Sequence, residues 1–193
     1  MKTIGALSIL LVMTSSALAD CKSEFLTLNR VKLEAGPFRQ KQQIQTFEEE
    51  NGKKYPKSDI SRTSDFVPPE SVHLRHPEGE EISIGKDGWV RMDGESWQPV
   101  SESEMKAEID AGLFKNYFLT TPELTDVVCD GESTYNGRKV RSYHYTISGL
   151  DVTAHFDVET KRPVAGLYDE ADFHRRTDIV FEFDRSIAIK RPE

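Results

Sequence analysis

The run NGRKVRSYHYTISGLDVTAHFDVETKRPVAGLY, residues 136–168, constrains the fold more than any other stretch of the chain. Leu150, Val152, Ala154, Phe156 and Val158 are apolar at every second position, and Asp151, Thr153, His155 and Asp157 fill the gaps. Successive side chains of a strand point to opposite faces, so the segment predicts a sheet with one dry and one wet face. Asn136-Gly137, Ser148-Gly149 and the corner from Glu159 to Pro163 divide it into three antiparallel strands.

The remainder reads as additions to this sheet. Ser23 to Leu33 predicts a helix, with Phe25, Leu28 and Val31 along one side and Gly36-Pro37 as its stop. Phe38 to Phe47 predicts a first strand whose polarity suggests an edge position. A charged turn at Asn51-Gly52 leads back through Ile60 to Phe66, and Pro68-Pro69 breaks that strand. SVHLRH, EEISIG and GWVRM then form a short meander before a turn at Asp93-Gly94 and Trp97. Ser101 and Glu104 make a capping box for a second helix with Met105, Ile109, Leu113 (or Gly112), Phe114 and Tyr117 on one stripe, ending near Phe118. Leu124 to Cys129 is a brief connecting strand, and Ile179, Phe181 and Phe183 alternate on the last long one. Nine or ten clustered strands and two helices predict an α+β fold: a large curved antiparallel sheet, a half-open β-barrel, with helices packed on the concave face.

The start, MKTIGALSILLVMTSSALAD, has a basic Lys2, an apolar core from Ile4 to Met13 and small residues at Ala17 and Ala19. It reads as a cleavable secretory signal over residues 1–19, too short for a permanent span, followed by one domain over 20–193. Cys21 invites a lipid anchor, but Asp20 stands where a small residue is required. The expectation is therefore a soluble bacterial periplasmic protein. In that oxidising compartment the only two cysteines, Cys21 and Cys129, are expected to form one disulfide. The formal net charge is −8, and loss of Lys2 makes it −9, with 24 basic against 33 acidic side chains. That balance argues against nucleic acid or an anionic membrane surface as partner. Two basic clusters, at Arg138, Lys139 and Arg141 and at His174, Arg175 and Arg176, read as solvated faces.

Three pieces of this layout carry a family resemblance. They are Gly88-Trp89-Val90-Arg91 with Trp97, the strand from Gly137-Arg138-Lys139-Val140 to Tyr143-His144-Tyr145, and the return Asp157-Val158-Glu159-Thr160-Lys161-Arg162-Pro163-Val164. Over nearly the whole mature chain the sequence resembles the LolA/LolB-like superfamily of periplasmic lipoprotein-localisation factors. The resemblance implies an unclosed barrel with a helical lid over an apolar cavity, and some members bind acyl chains. The strands here are more polar than the family pattern, and no basic residue matches the lipoprotein carrier's cavity arginine.

Candidate chemistry is sparse. No GxSxG, HExxH, P-loop or GxGxxG occurs, which argues against an enzyme, and no cofactor is implied. His73 and His76 are three apart on a strand and face opposite sides. His144 and His155 flank one turn on a shared polar face near Thr153 and Asp157, where an acid/base pair or zinc site would lack a specified third ligand. Trp89, Trp97, Phe114, Tyr117, Phe118, Phe156, Phe181 and Phe183 could line an apolar ligand cavity between sheet and helix, or simply fill a core. Two function classes stay open: a binding or carrier protein for an acyl chain or other apolar ligand, and an interaction module for a periplasmic protein partner.

Overall fold

Residues 21–28, 35–110, 124–147, 150–171 and 174–193 are described in the computed structural model. The expected signal segment, Val31, the Ser148-Gly149 turn, and Gly112, Leu113, Phe114, Tyr117 and Phe118 lie outside them. The strands are β1 (Phe38–Glu50), β2 (Lys53–Val67), β3 (Ser71–His76), β4 (Gly79–Ile84), β5 (Asp87–Met92), β6 (Gln98–Pro99), β7 (Leu124–Tyr135), β8 (Arg138–Ile147), β9 (Leu150–Asp157), β10 (Pro163–Glu170) and β11 (Arg175–Phe183). Helical segments are α1 (residues 21–28) and α2 (Glu102–Asp110).

The eleven strands of the described residues join one sheet in the order β6-β5-β4-β3-β2-β1-β11-β10-β9-β8-β7. Every pairing is antiparallel. Two meanders therefore meet in the middle, where β1 pairs with β11 from Phe38↔Phe183 to Thr46↔Arg175. The sheet is open, with β6 and β7 at its opposite ends.

β1 is central, which corrects the edge position expected from its polarity. Its charges are matched by its neighbours: Arg39 reaches Asp65 on β2, and Lys41 reaches Glu182 on β11 at 2.6 Å. The β1–β2 hairpin also runs further than expected, to Glu50 and Lys53. Asn51 and Gly52 both adopt positive φ, 52° and 73°, as a tight two-residue turn requires, so the charged flanks stay in the ladder.

Register assigns the faces. Phe38, Phe66, Val72, Ser83 and Gly88 lie across one another on β1 to β5, on a single face. α2 sits on this face. Ser101 caps it as expected: its Oγ accepts from the Glu104 N–H at 3.3 Å, and the Glu104 carboxylate accepts from the Ser101 N–H at 3.1 Å. Met105 is 2% exposed against Gly88, where an added Cβ would overlap the Met105 Sδ. Gly88→Ala should therefore overpack this contact and lower stability by about 1–2 kcal/mol. A thermal midpoint equal to that of the parent would refute the close approach.

α1 touches the same face at the other half of the sheet, over β8 and β9. Among the described residues no helix is long and apolar enough to cross a membrane.

Candidate functional site

The helix-facing side of the sheet carries two apolar clusters. The first is built by α1. Cys21, Phe25 and Leu28 fall on one helical stripe and are 5%, 2% and 7% exposed. Phe25 packs on Tyr143, Tyr145 and Phe156 with ring centroids 5.4, 4.7 and 5.8 Å apart. The expected disulfide joins Cys21 to Cys129 on β7 and ties the helix to the sheet. Arg141 pairs with Glu24 of α1 at 2.9 Å, and burial pushes the Tyr143 hydroxyl up to about 12. Burial also raises the hydroxyls of Tyr145 and Tyr168.

The second cluster lies on the β1–β3 half. Phe38 and Phe66 stack with centroids 4.7 Å apart and are fully buried with Val72. Phe181 and Phe183 approach Phe38 at 6.3 and 5.5 Å, yet they and Leu74 are only half-buried. Of the residues expected to line a cavity, Phe156 joins the first cluster, and Phe181 and Phe183 join the second. Trp89 and Trp97 join neither. Trp89 follows Gly88, whose side of β5 is taken by α2, so the strand's two-residue period turns its ring to the other face.

There Trp89 meets Arg191 at 5.6 Å, and Arg191 pairs with Asp87 at 2.5 Å. Trp97 lies under Arg91 at 4.8 Å and beside His73 at 6.3 Å. These contacts end a polar ladder across five strands that the sequence reading missed. Asp65, 4% exposed, accepts from Arg39 at 2.6 and 3.0 Å and from Arg75 at 2.9 Å. His73 accepts from Arg75 at 2.8 Å through Nδ1 and donates from Nε2 to Glu80 at 2.7 Å, and Glu80 also accepts from Arg91 at 2.5 Å. Burial alone would raise the Asp65 carboxyl, but the two guanidinium groups outweigh it and hold it below the usual range. Burial also lowers His73. The spacing of His73 and Arg75, two apart on one strand, was the available signal.

His144 and His155 do share this outer face. His144 bridges Asp130 and Thr153, the latter at 2.8 Å. His155 bonds Ser142 at 2.8 Å and stacks on Tyr135, with centroids 4.7 Å apart. Asp157 instead caps its own turn by accepting from the N–H groups of Glu159 and Thr160. No three His, Cys, Asp or Glu side chains among the described residues come together as a metal site. Beside His144 runs a groove of about 390 Å³, lined in part by Asp126, Thr146, Asp151, Thr153 and Asp169.

No protein-family model and no curated protein sequence matches the chain. Solved structures do. LprF from Mycobacterium bovis superimposes with a TM-score of 0.57 at 10% identity, over 90% of this chain and 97% of its own. The fold resembles that of LprF. LppX, a lipoprotein of Mycobacterium tuberculosis, shares it with a TM-score of 0.55 at 12% identity, over 91% of this chain and 99% of its own. A LolA superfamily protein from Nitrosomonas europaea is matched over 84% of this chain and 91% of its own, at 8% identity. Its TM-score of 0.31 is too low to add to the argument. The LolA-like resemblance read from the sequence stands as a likeness of fold. Fold by itself does not carry a ligand or a reaction.

Proposed function

We propose that the chain is a periplasmic, non-enzymatic binding protein of LolA-like type, whose helix-facing sheet surface takes an acyl chain or another apolar ligand. Residues 20–193 form its single domain behind a cleaved signal. The supporting observation is the contrast within the second cluster. Phe38 and Phe66 are fully buried, while Phe181, Phe183 and Leu74 beside them keep apolar surface. Each methylene laid on such surface would gain about 0.8 kcal/mol. Phe114, Tyr117 and Phe118, which follow α2 in sequence, belong to the same proposal. The disulfide is in keeping with an oxidising compartment outside the cytoplasm.

Mass spectrometry of protein isolated from periplasm tests this reading. Under native conditions an added lipid-sized mass is expected, released on denaturation, with occupancy reduced in Phe181→Asp. The denatured chain should begin at Asp20. A clean unliganded mass, together with no binding of a fluorescent fatty acid, would defeat the proposal.

A further inference from the structure

An open sheet has two edges, and this one treats them differently. β6 is two residues long and includes Pro99, which has no N–H to offer. β7 is twelve residues long, and its sequence LTDVVCDGESTY contains no proline, lysine or arginine. Among the described residues β7 pairs with β8 on one side and with no strand on the other.

The features that flank this edge share one charge. Register shifts between Thr125 and Val128 and between Cys129 and Gly131 mark two bulges. Bulges re-aim side chains. Here Asp126 lines the outer-face groove, Asp130 meets His144 on that same face, and Val128 between them is 46% exposed. Asp151 and Asp169, both exposed, extend the carboxylates inward from the edge along the groove. Its volume of about 390 Å³ has room for a long basic side chain.

We propose that β7 is a docking edge for an extended, basic segment of another protein, which adds to the sheet as a further strand and sends a lysine or arginine into the Asp126–Asp151–Asp169 groove. Main-chain hydrogen bonds would supply affinity and the groove would supply selection, as in other strand additions. A second copy of this chain fits poorly. Antiparallel self-pairing would set Asp126 and Asp130 of one copy against the same carboxylates of the other, and like charges across a pair are unfavourable. The inference is independent of the apolar-ligand reading, since the two use opposite faces of the sheet.

The test is fluorescence anisotropy with the full mature protein and a labelled octapeptide of alternating lysine and valine. Two further peptides are needed: the same sequence N-methylated at alternate residues, and one with glutamate in place of lysine. Strand addition predicts at least a tenfold loss of affinity for each of these, and a similar loss for the lysine peptide with Asp151→Asn/Asp169→Asn. The β7 amides should also gain protection from hydrogen exchange when the lysine peptide binds. The variant's thermal midpoint confirms that it is folded. Equal binding of the N-methylated peptide would reduce the effect to bulk charge attraction and overturn the proposal. So would no binding of the lysine peptide, an unchanged affinity in the folded variant, or a peptide-free dimer that protects β7.

Discussion

Replacing Cys21 and Cys129 together by serine is expected to lower the thermal midpoint by about 10 °C. The disulfide joins residues 108 apart in sequence. Cross-linking so long a loop removes unfolded-state entropy worth about 4–5 kcal/mol in the chain model, and real proteins usually realise somewhat less. A loss of about 3–4 kcal/mol converts to that shift at roughly 2–4 °C per kcal/mol for a chain of this size. The native cluster suffers as well, because Cys21 packs with Phe25, Leu28 and Tyr143. Reductant should bring the parent protein to the same midpoint and leave the double variant unmoved. Equal midpoints for parent and variant under oxidising conditions would show that the bond contributes nothing.

Asp65→Asn should cost about 3 kcal/mol. The carboxylate is 4% exposed and takes three charged hydrogen bonds, from Arg39 and Arg75. Removing one partner of a buried pair typically costs about 3–5 kcal/mol, because the remaining charges stay behind unpaired. The arginine side chains are 37% and 35% exposed, so water recovers part of that and the low end applies. The pH dependence follows from the direction of the shift. The Asp65 pKa is lower folded than unfolded, so its contribution is complete above the unfolded value, about 3.9, and is lost as pH falls through the folded value. His73, also lowered, gives an earlier loss as pH drops below about 6.5, since the folded protein favours its neutral ring. Urea titrations from pH 7 to pH 3 should show the gap between parent and Asp65→Asn closing only at the acid end. A gap that stays constant over that range would exclude a charge-dependent role.

These two sites differ in how far the sequence announces them. With only two cysteines in the sequence, each names the other as its partner. The Leu150–Val158 alternation likewise yields β9 directly, and Ser101 with Glu104 marks the start of α2. Asp65 gives no such warning. Its partners Arg39 and Arg75 become neighbours only once register is fixed, and Lys41 finds Glu182 from 141 positions away. For the same reason β1 reads as an edge: Gln40 is polar yet 6% exposed at the centre of the sheet. In the candidate site, the parity of β9 and β11 places Phe156, Phe181 and Phe183 on the helix-facing side. Trp89 looks equally suitable in sequence, but which side of β5 faces a helix is decided by Met105 settling on Gly88. The outer groove is legible nowhere locally, because its walls come from β7, β8, β9 and β10.

The order of the strands also bears on the statistics of the chain. Among the described residues, nine of the ten neighbouring pairs are between consecutive strands, and only β1 with β11 joins distant ones. Without a cross-link, bringing Phe38 to Phe183 closes a loop of 145 residues. The Cys21–Cys129 bond offers a shorter route, 17 residues from Cys21 to Phe38 and 54 from Cys129 to Phe183. Halving a flexible loop saves about 0.6 kcal/mol of closure entropy. A bond at the far margin of the sheet thus eases the joining of its middle.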